Sequence, residues 1–395
     1  MPEQFLHGIE TVEIDNGIRP IQTVKSSIIG FVGTAPDAVA LTFPLNTPVL
    51  VTGPNMAAGL GADGTLKDAY EAAYQQGVSA VIVVRVDEGA NAAATLTNVT
   101  GSAANGTGVY ALLNAPNIVG LTPRILAAPG FTSNPAANPA SPVTLALIAI
   151  AARMRAVAIA DGPNTNEADA KTERDKYGSD RLYLVDPAVT VWDSDAEGYV
   201  TRPASGFVAG ALSAIDANRG FWWSPSNQIL NGVAGTARPI TWGISDPETE
   251  ANRLNEEEIG TIIRKEGFRL WGNRSTGADP LWAFLPVRRT ADMIYESIEE
   301  GLLWAMDRPF SRQLLLDLRD SVAGYLEVLT RRGAILGGAV WIDPELNTEA
   351  TLKAGKLFLN FDIEPPAPLE HLTLQAHRNG DYYEELVLSV SGNQQ

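Results

Sequence analysis

Gly59-Leu-Gly-Ala-Asp-Gly64 is a literal G-x-G-x-x-G. Such a loop can cradle the pyrophosphate of a dinucleotide on the N-terminus of the helix that follows it. Asp87 ends the next strand-like run, where an acid could hold a ribose hydroxyl. The upstream spacing argues against this chemistry. The first glycine of the fingerprint must follow its strand at once, whereas Gly53-Pro-Asn-Met-Ala-Ala58 intervenes, enough for a helical turn of its own. With 36 glycines, chance matches also come easily. The plain-loop reading outweighs the cofactor reading, and a nucleotide-dependent enzyme using Gly59–Gly64 stays as the alternative.

Other catalytic constellations are missing. The only histidines are His7, His371 and His377, none four residues from another, and there is no cysteine. Histidine or cysteine zinc sites and disulfides are therefore not expected, and a Ser-His-Asp relay would need a histidine from a chain end. No G-x-S-x-G elbow or G-x-x-x-x-G-K-[ST] loop occurs. Glu256-Glu257-Glu258 reads as the start of a helix, where acids favour the macrodipole. No catalytic, cofactor-binding or metal-binding residue is assigned, and the chain is not read as an enzyme.

The most distinctive run is Gly267-Phe-Arg-Leu-Trp-Gly-Asn-Arg-Ser-Thr276. Two glycines bracket a short aromatic strand with arginines beside it. Those arginines are either solvated or at a protein interface, where arginine and aromatic residues are enriched.

The elements that must position these residues follow from patterning. The 395 residues suggest two or three domains. A net charge of −17 repels phosphate backbones, so nucleic acid is not an expected partner. No stretch approaches the roughly 18 apolar residues of a membrane span, and no secretory leader is recognised. Strands are expected at 26–33, 47–52, 78–86, 124–130, 156–160 and 181–185, and helices at 65–76, 143–155, 165–177 and 203–218. That alternation implies an α/β layer with a mostly parallel sheet. Residues 88–140, rich in Ala, Asn, Thr, Gly and Pro, read mostly as loop.

After Trp222-Trp223 the pattern becomes α+β. A helix is expected at 255–264, a strand at 268–271, helices near 290–306 and 309–331, and strands at 338–342 and 356–363. Two strands are orphans. One near the N-terminus carries Ile9, Val12 and Ile14. The other, a strand or hairpin beyond Pro365-Pro366-Ala-Pro368, carries Leu372, Leu374, Leu386 and Leu388. The expected organisation is an N-terminal arm (1–24), an α/β domain (25–250), an α+β domain (251–364) and a C-terminal arm (365–395).

The Gly267–Thr276 run resembles the G-x-x-x-W-G-x-R-T motif of contractile tail sheath proteins, through Gly267, Trp271, Gly272 and Arg274. Ser275 stands where the shorter form of that motif often has Thr, with Thr276 next. His7-Gly8, 14–19, 28–35, 43–50, 352–357 and 366–374 resemble sheaths of temperate contractile-tailed phages in the same order. The resemblance spans nearly the whole chain and is loosest over 88–140.

The resemblance implies a structural subunit. It would stack in six-fold rings around a tail tube protein, meet baseplate and tail terminator proteins, and contract without a cofactor to drive the tube through a target envelope. It implies a virion component assembled in the bacterial cytoplasm, with no membrane partner. It implies that both arms donate strands to neighbouring subunits, a recognised mode of association. It also puts the tube-facing surface in the C-terminal domain, with Arg288, Arg289, Arg331 and Arg332 as candidates.

Overall fold

The computed structural model describes residues 20–133 and 138–391. The chain runs through β1 (Ile29–Thr34), β2 (Pro48–Val51), α1 (Pro54–Ala57), α2 (Leu66–Gln75) and β3 (Val81–Val86). It continues through α3 (Ala92–Thr100), α4 (Ala115–Val119), β4 (Ile125–Ala127), α5 (Pro142–Met154), β5 (Val157–Asp161), α6 (Glu167–Arg174) and β6 (Leu182–Val185). These strands join an eight-stranded sheet ordered β11-β10-β6-β5-β4-β1-β3-β2, whose last members are β10 (Ile259–Arg264) and β11 (Phe268–Trp271). The inner pairs are parallel, and the edge strands β2 and β11 are antiparallel to their neighbours.

The sheet is buried on both faces, which is why its strands read as unbroken apolar runs. In β3, Val81 and Val83 enter one core while Ile82, Val84 and Val86 enter the other. The first core is covered by α2 and by α7 (Ala204–Asn218). These helices lie unusually close, since a Cβ on Gly210 would sit 2.7 Å from the Cα of Ala73. The second core is covered by α3 and α5.

Between β6 and α7 the chain forms β7 (Val189–Asp193) and β8 (Gly198–Arg202), which pair with β9 (Val233–Thr236) in a separate antiparallel sheet. After α8 (Glu250–Glu256) and the last two strands of the large sheet come α9 (Leu285–Leu302) and α10 (Arg312–Arg332). They pack on the hairpin of β12 (Gly338–Ile342) and β13 (Leu359–Ile363), with α11 (Glu349–Lys353) in its connection. The last described element is α12 (Asp381–Ser391).

The α/β architecture with its mostly parallel sheet is as expected from the sequence. Several elements differ. Residues 88–140 are not mostly loop: α3, a 3₁₀ turn over Gly108–Asn114 and α4 lie there, with Val99, Val109, Leu112 and Ala115 fully buried. These helices are short and glycine-punctuated, so no long periodicity announces them.

The helix expected at 255–264 is α8, ending at Glu256, and Ile259–Arg264 is a strand parallel to β6. The β-branched Ile259, Thr261, Ile262 and Ile263 suit the sheet. Glu256–Glu258 therefore sits at a helix C-terminus, where the macrodipole does not favour acids. Glu258 instead pairs with Arg174, and Glu257 lies 3.8 Å from Lys171.

The strand or hairpin expected beyond Pro368 does not form: Leu386 and Leu388 lie on the helix α12, and 364–379, with Leu372 and Leu374, has no regular structure. Leu386, Leu388 and Val390 alternate as in a strand, yet Tyr383, Leu386, Val387 and Val390 also fall at i, i+3, i+4 and i+7. With no strand beside it among the described residues, the segment satisfies its backbone internally as a helix.

Candidate functional site

The glycine loop is shaped by packing. Ahead of it stands β2, an antiparallel edge strand, and α1 with a 3₁₀ turn over Ala58–Leu60 fills the interval. Gly61 and Gly64 have φ of +84° and +97°. A Cβ on Gly64 would lie 2.3 Å from the carbonyl oxygen of Thr34, and one on Gly61 would lie 2.4 Å from the Cβ of Asp37. The loop closes on the end of β1: Thr65 N donates to Thr34 O at 2.9 Å, and Thr34 N donates to Thr65 Oγ1 at 3.2 Å.

A cavity of about 230 Å³ beside it is lined by Thr65, Asp68, Arg202 and Phe207 among others. Its guanidinium is already committed, with Arg202 3.1 Å from Asp68 and 2.7 Å from Asp193. Burial also raises the Asp68 carboxyl above its ordinary range, against the opposing pull of Arg202. The surroundings are acidic and do not suit a pyrophosphate.

A second constellation joins α9 to the α/β layer. Asp292, Glu296 and Glu299 occur at i, i+4 and i+7 and share one face of the helix. Asp292 accepts from Arg181 Nη2 at 2.8 Å, Glu296 pairs with Arg124, and Glu299 accepts from Arg155 at 2.6 and 2.7 Å. Burial raises the Glu296 carboxyl and lowers the Arg124 guanidinium, while their mutual attraction opposes both shifts.

On the neighbouring face Arg289, 4% exposed, grips Asp216 of α7 through two hydrogen bonds, Nη1 to Oδ1 at 2.8 Å and Nη2 to Oδ2. Arg288 pairs with Asp292 at 2.8 Å and stacks over Trp282 at 4.1 Å. Arg288 and Arg289 were expected on a tube-facing surface; their partners within the chain draw them inward instead. Arg331 and Arg332 are exposed in the last turn of α10, where cations complement the macrodipole.

The Gly267–Thr276 run forms β11 and the strap after it. Trp271 meets Trp242 edge to face at 5.6 Å between ring centroids. Gly272, with φ of +133°, crosses the sheet so closely that a Cβ there would lie 2.9 Å from the Cα of Gly260. Tyr183 Oη donates to Gly272 O at 3.0 Å, and Asn255 Nδ2 donates to Trp271 O at 3.1 Å. Ser275 and Thr276 are fully buried, and their amides donate to Ala283 O at 2.9 Å and Leu182 O at 3.0 Å. Arg274 is half-buried, its guanidinium 4.8 Å from the centre of the Phe284 ring and paired with Glu370.

Ile9, Val12 and Ile14 lie outside the described residues. Leu372 and Leu374 are exposed on irregular chain, and Leu386 and Leu388 are exposed on α12. Neither β12 nor β13 has a second strand neighbour among the described residues. Among those residues no His, Cys, Asp and Glu cluster is placed to hold a metal ion, and no helix is long and apolar enough to cross a membrane.

Sequence reasoning missed Asp216, Glu370 and the acids of α9. The helical spacing of Asp292, Glu296 and Glu299 was a legible signal. The pairing of Glu370 with Arg274 was not, since 96 positions separate them.

Comparison with known proteins places these features. Residues 104–276 match the model of the phage tail sheath protein central domain, and 277–378 match the phage tail sheath C-terminal domain. The chain is 34% identical to the tail sheath protein of Escherichia phage P2 over 400 residues, covering 98% of this chain and 99% of that one. It is 33% identical to the major tail sheath protein of Serratia phage KSP20, covering 99% and 100%. In fold it is similar to the helical sheath of the anti-feeding prophage solved in the contracted state, with a TM-score of 0.70 at 20% identity over 95% of this chain and 100% of that one.

Proposed function

This chain belongs to the phage tail sheath family, and from that premise we propose how its subunits join and move. It is a structural subunit of a contractile tail sheath, a component of the virion tail, and its role is assembly rather than catalysis. Self-association and contact with the baseplate follow from the same membership.

The finer reading is that subunits form six-fold rings stacked helically around a tail tube protein and capped by a tail terminator, assembled in the host cytoplasm. The observation that carries it is the open β12–β13 hairpin together with an uncovered tail. Among the described residues both hairpin edges lack a further strand, and Leu369, Leu372, Leu374, Leu386 and Leu388 are exposed. An unpaired edge and an exposed apolar tail in one subunit are complementary needs that neighbouring copies can meet.

We assign Ile9, Val12 and Ile14 to the N-terminal link, and Leu372, Leu374, Leu386 and Leu388 to the C-terminal link. Residues 1–24 and 365–395 serve as arms, while 25–250 and 251–364 move as the body. The α9 ion pairs support motion of that body as one unit, because they bind the α10 and β12–β13 layer to the large sheet. Contraction then releases conformational energy stored at assembly. Arg331 and Arg332 are the remaining tube-facing candidates.

The test is negative-stain electron microscopy of the purified chain, alone and with tube protein. Hollow tubes or stacked rings are expected, and deletion of residues 1–20 should leave a folded monomer that no longer polymerises. Uniform monomers at high concentration, unchanged by tube protein, would overturn the reading.

A further inference from the structure

Within the Gly267–Thr276 run, Arg274 pairs with the C-terminal tail. Its guanidinium meets the Glu370 carboxylate through three contacts, Nε to Oε1 at 3.0 Å, Nε to Oε2 at 3.2 Å and Nη2 to Oε2 at 2.7 Å. That is the planar fork geometry in which arginine binds carboxylates best. Two stretches that resemble the same family, 267–276 and 366–374, thus meet in a single ion pair.

The rest of the run immobilises this arginine. Gly272 brings the strap against Gly260, Tyr183 and Asn255 hold its carbonyls, and Ser275 and Thr276 are buried beyond it. The Phe284 ring then fixes the plane of the guanidinium. A side chain already held loses less rotamer freedom on pairing than a free surface arginine does. Beyond Glu370 every described residue of the tail is exposed, so the pair stands where the tail leaves the body.

We propose that Arg274 is the anchor of the C-terminal arm, fixing through Glu370 the point and direction from which the arm reaches a neighbouring copy. The proposal rests on the reading of 365–395 as a linking arm. Without the anchor the arm begins just after Pro365, which is buried next to the backbone hydrogen bonds of Glu364 with Leu336 and Gly337, instead of at Glu370. The five residues 366–370 would lengthen the free tether by about 17–18 Å at full extension. A longer and less directed tether lowers the effective concentration of the arm at its target.

The absence of cysteine makes the test direct. Nitroxides are placed at Thr373→Cys in the tail and Arg264→Cys on the body, and their distance distribution is measured by pulsed electron spin resonance on the monomer. A narrow distribution is expected in the parent. It should be lost in Arg274→Ala and in Glu370→Gln, and recovered at least in part in the swapped pair Arg274→Glu with Glu370→Arg. Glu370→Gln changes an exposed tail residue and leaves the fold intact.

Tube yield, scored by electron microscopy in unlabelled variants, should fall and recover in parallel. A broad distribution in the parent, or a narrow one that survives Glu370→Gln, overturns the anchor. If the parent forms no tubes, the sheath-assembly reading fails while the monomer distances still decide the anchor. If tubes form equally well in Arg274→Ala, assembly stands and the anchor falls.

Discussion

Asp216→Asn removes one charge from a buried pair while keeping its shape. Arg289 and Asp216 have side chains 5% and 0% exposed, and the guanidinium also donates a 3.4 Å hydrogen bond to Ser26 O. The asparagine can still accept from Nη1, but the guanidinium is left as an uncompensated charge in the layer between α7 and α9. Breaking such a pair costs about 3–5 kcal/mol. For 395 residues at about 2.1 cal/mol/K each, the unfolding entropy near the midpoint is about 0.8 kcal/mol/K, so Tm should fall by about 4–6 °C.

The assay is differential scanning calorimetry on monomer kept too dilute to polymerise. The paired substitution Asp216→Leu with Arg289→Met removes both charges and should melt within about 2 °C of the parent or above it, as apolar replacement of buried pairs commonly does. A single-variant drop below about 1 °C, or a double variant less stable than the single, would refute the placement of Arg289 in the interior.

Other predictions concern pH, backbone and surface. Burial raises the Asp161 carboxyl, against hydrogen bonds from Ser205 and Thr132, so its contribution is present below the ordinary aspartate range and lost as pH rises through the folded value. Asp161→Asn should therefore gain stability relative to the parent as pH rises above the ordinary aspartate range, and a pH-independent difference in Tm would contradict this. Glu167 has the opposite sign: hydrogen bonds from Arg253 lower it to about 2, so its contribution is present above about pH 4.5 and lost as pH falls toward 2. Glu167→Gln should cost stability at pH 7 and nothing near pH 2, read from melting curves over that range. Gly64→Ala meets both a positive φ and the Thr34 carbonyl, and should lose about 2 kcal/mol or more in urea unfolding; a loss under about 0.5 kcal/mol would show that the loop can relax. Changing Arg331 and Arg332 together to glutamine removes cations that complement the α10 macrodipole and should lower Tm by no more than about 2 °C while weakening co-sedimentation with tube protein, and full binding by that variant would remove both from the tube-facing surface.

Local pattern was enough for the α/β layer. β3 is legible because five of its six residues, all but Arg85, bury themselves on alternate faces of a sheet covered on both sides, and α5 because Ser141 and Pro142 start a long apolar helix. The 3₁₀ turn at 108–114 and the sheet of β7, β8 and β9 were not legible. Their strands and turns are short, and only neighbours distant in sequence bury Val109, Leu112 and Val189. The tail shows the same limit from the other side. One set of residues carries both a strand and a helix period, and the presence or absence of a neighbouring strand selects between them.

By itself the sequence determined the class of the protein. The ordered motifs, the absence of cysteine, the scarcity of histidine and the uncovered apolar residues of the tail all lie in local order along the chain. Tertiary structure alone decided what individual charges do. Arg289 turned from a candidate for an outer surface into a buried partner of Asp216, and Arg274 from an arginine of undecided role into the partner of Glu370. The physical reason is that an ion pair depends on distance and desolvation between residues far apart in sequence, 73 positions for one pair and 96 for the other, and neither quantity leaves a periodic mark on the chain.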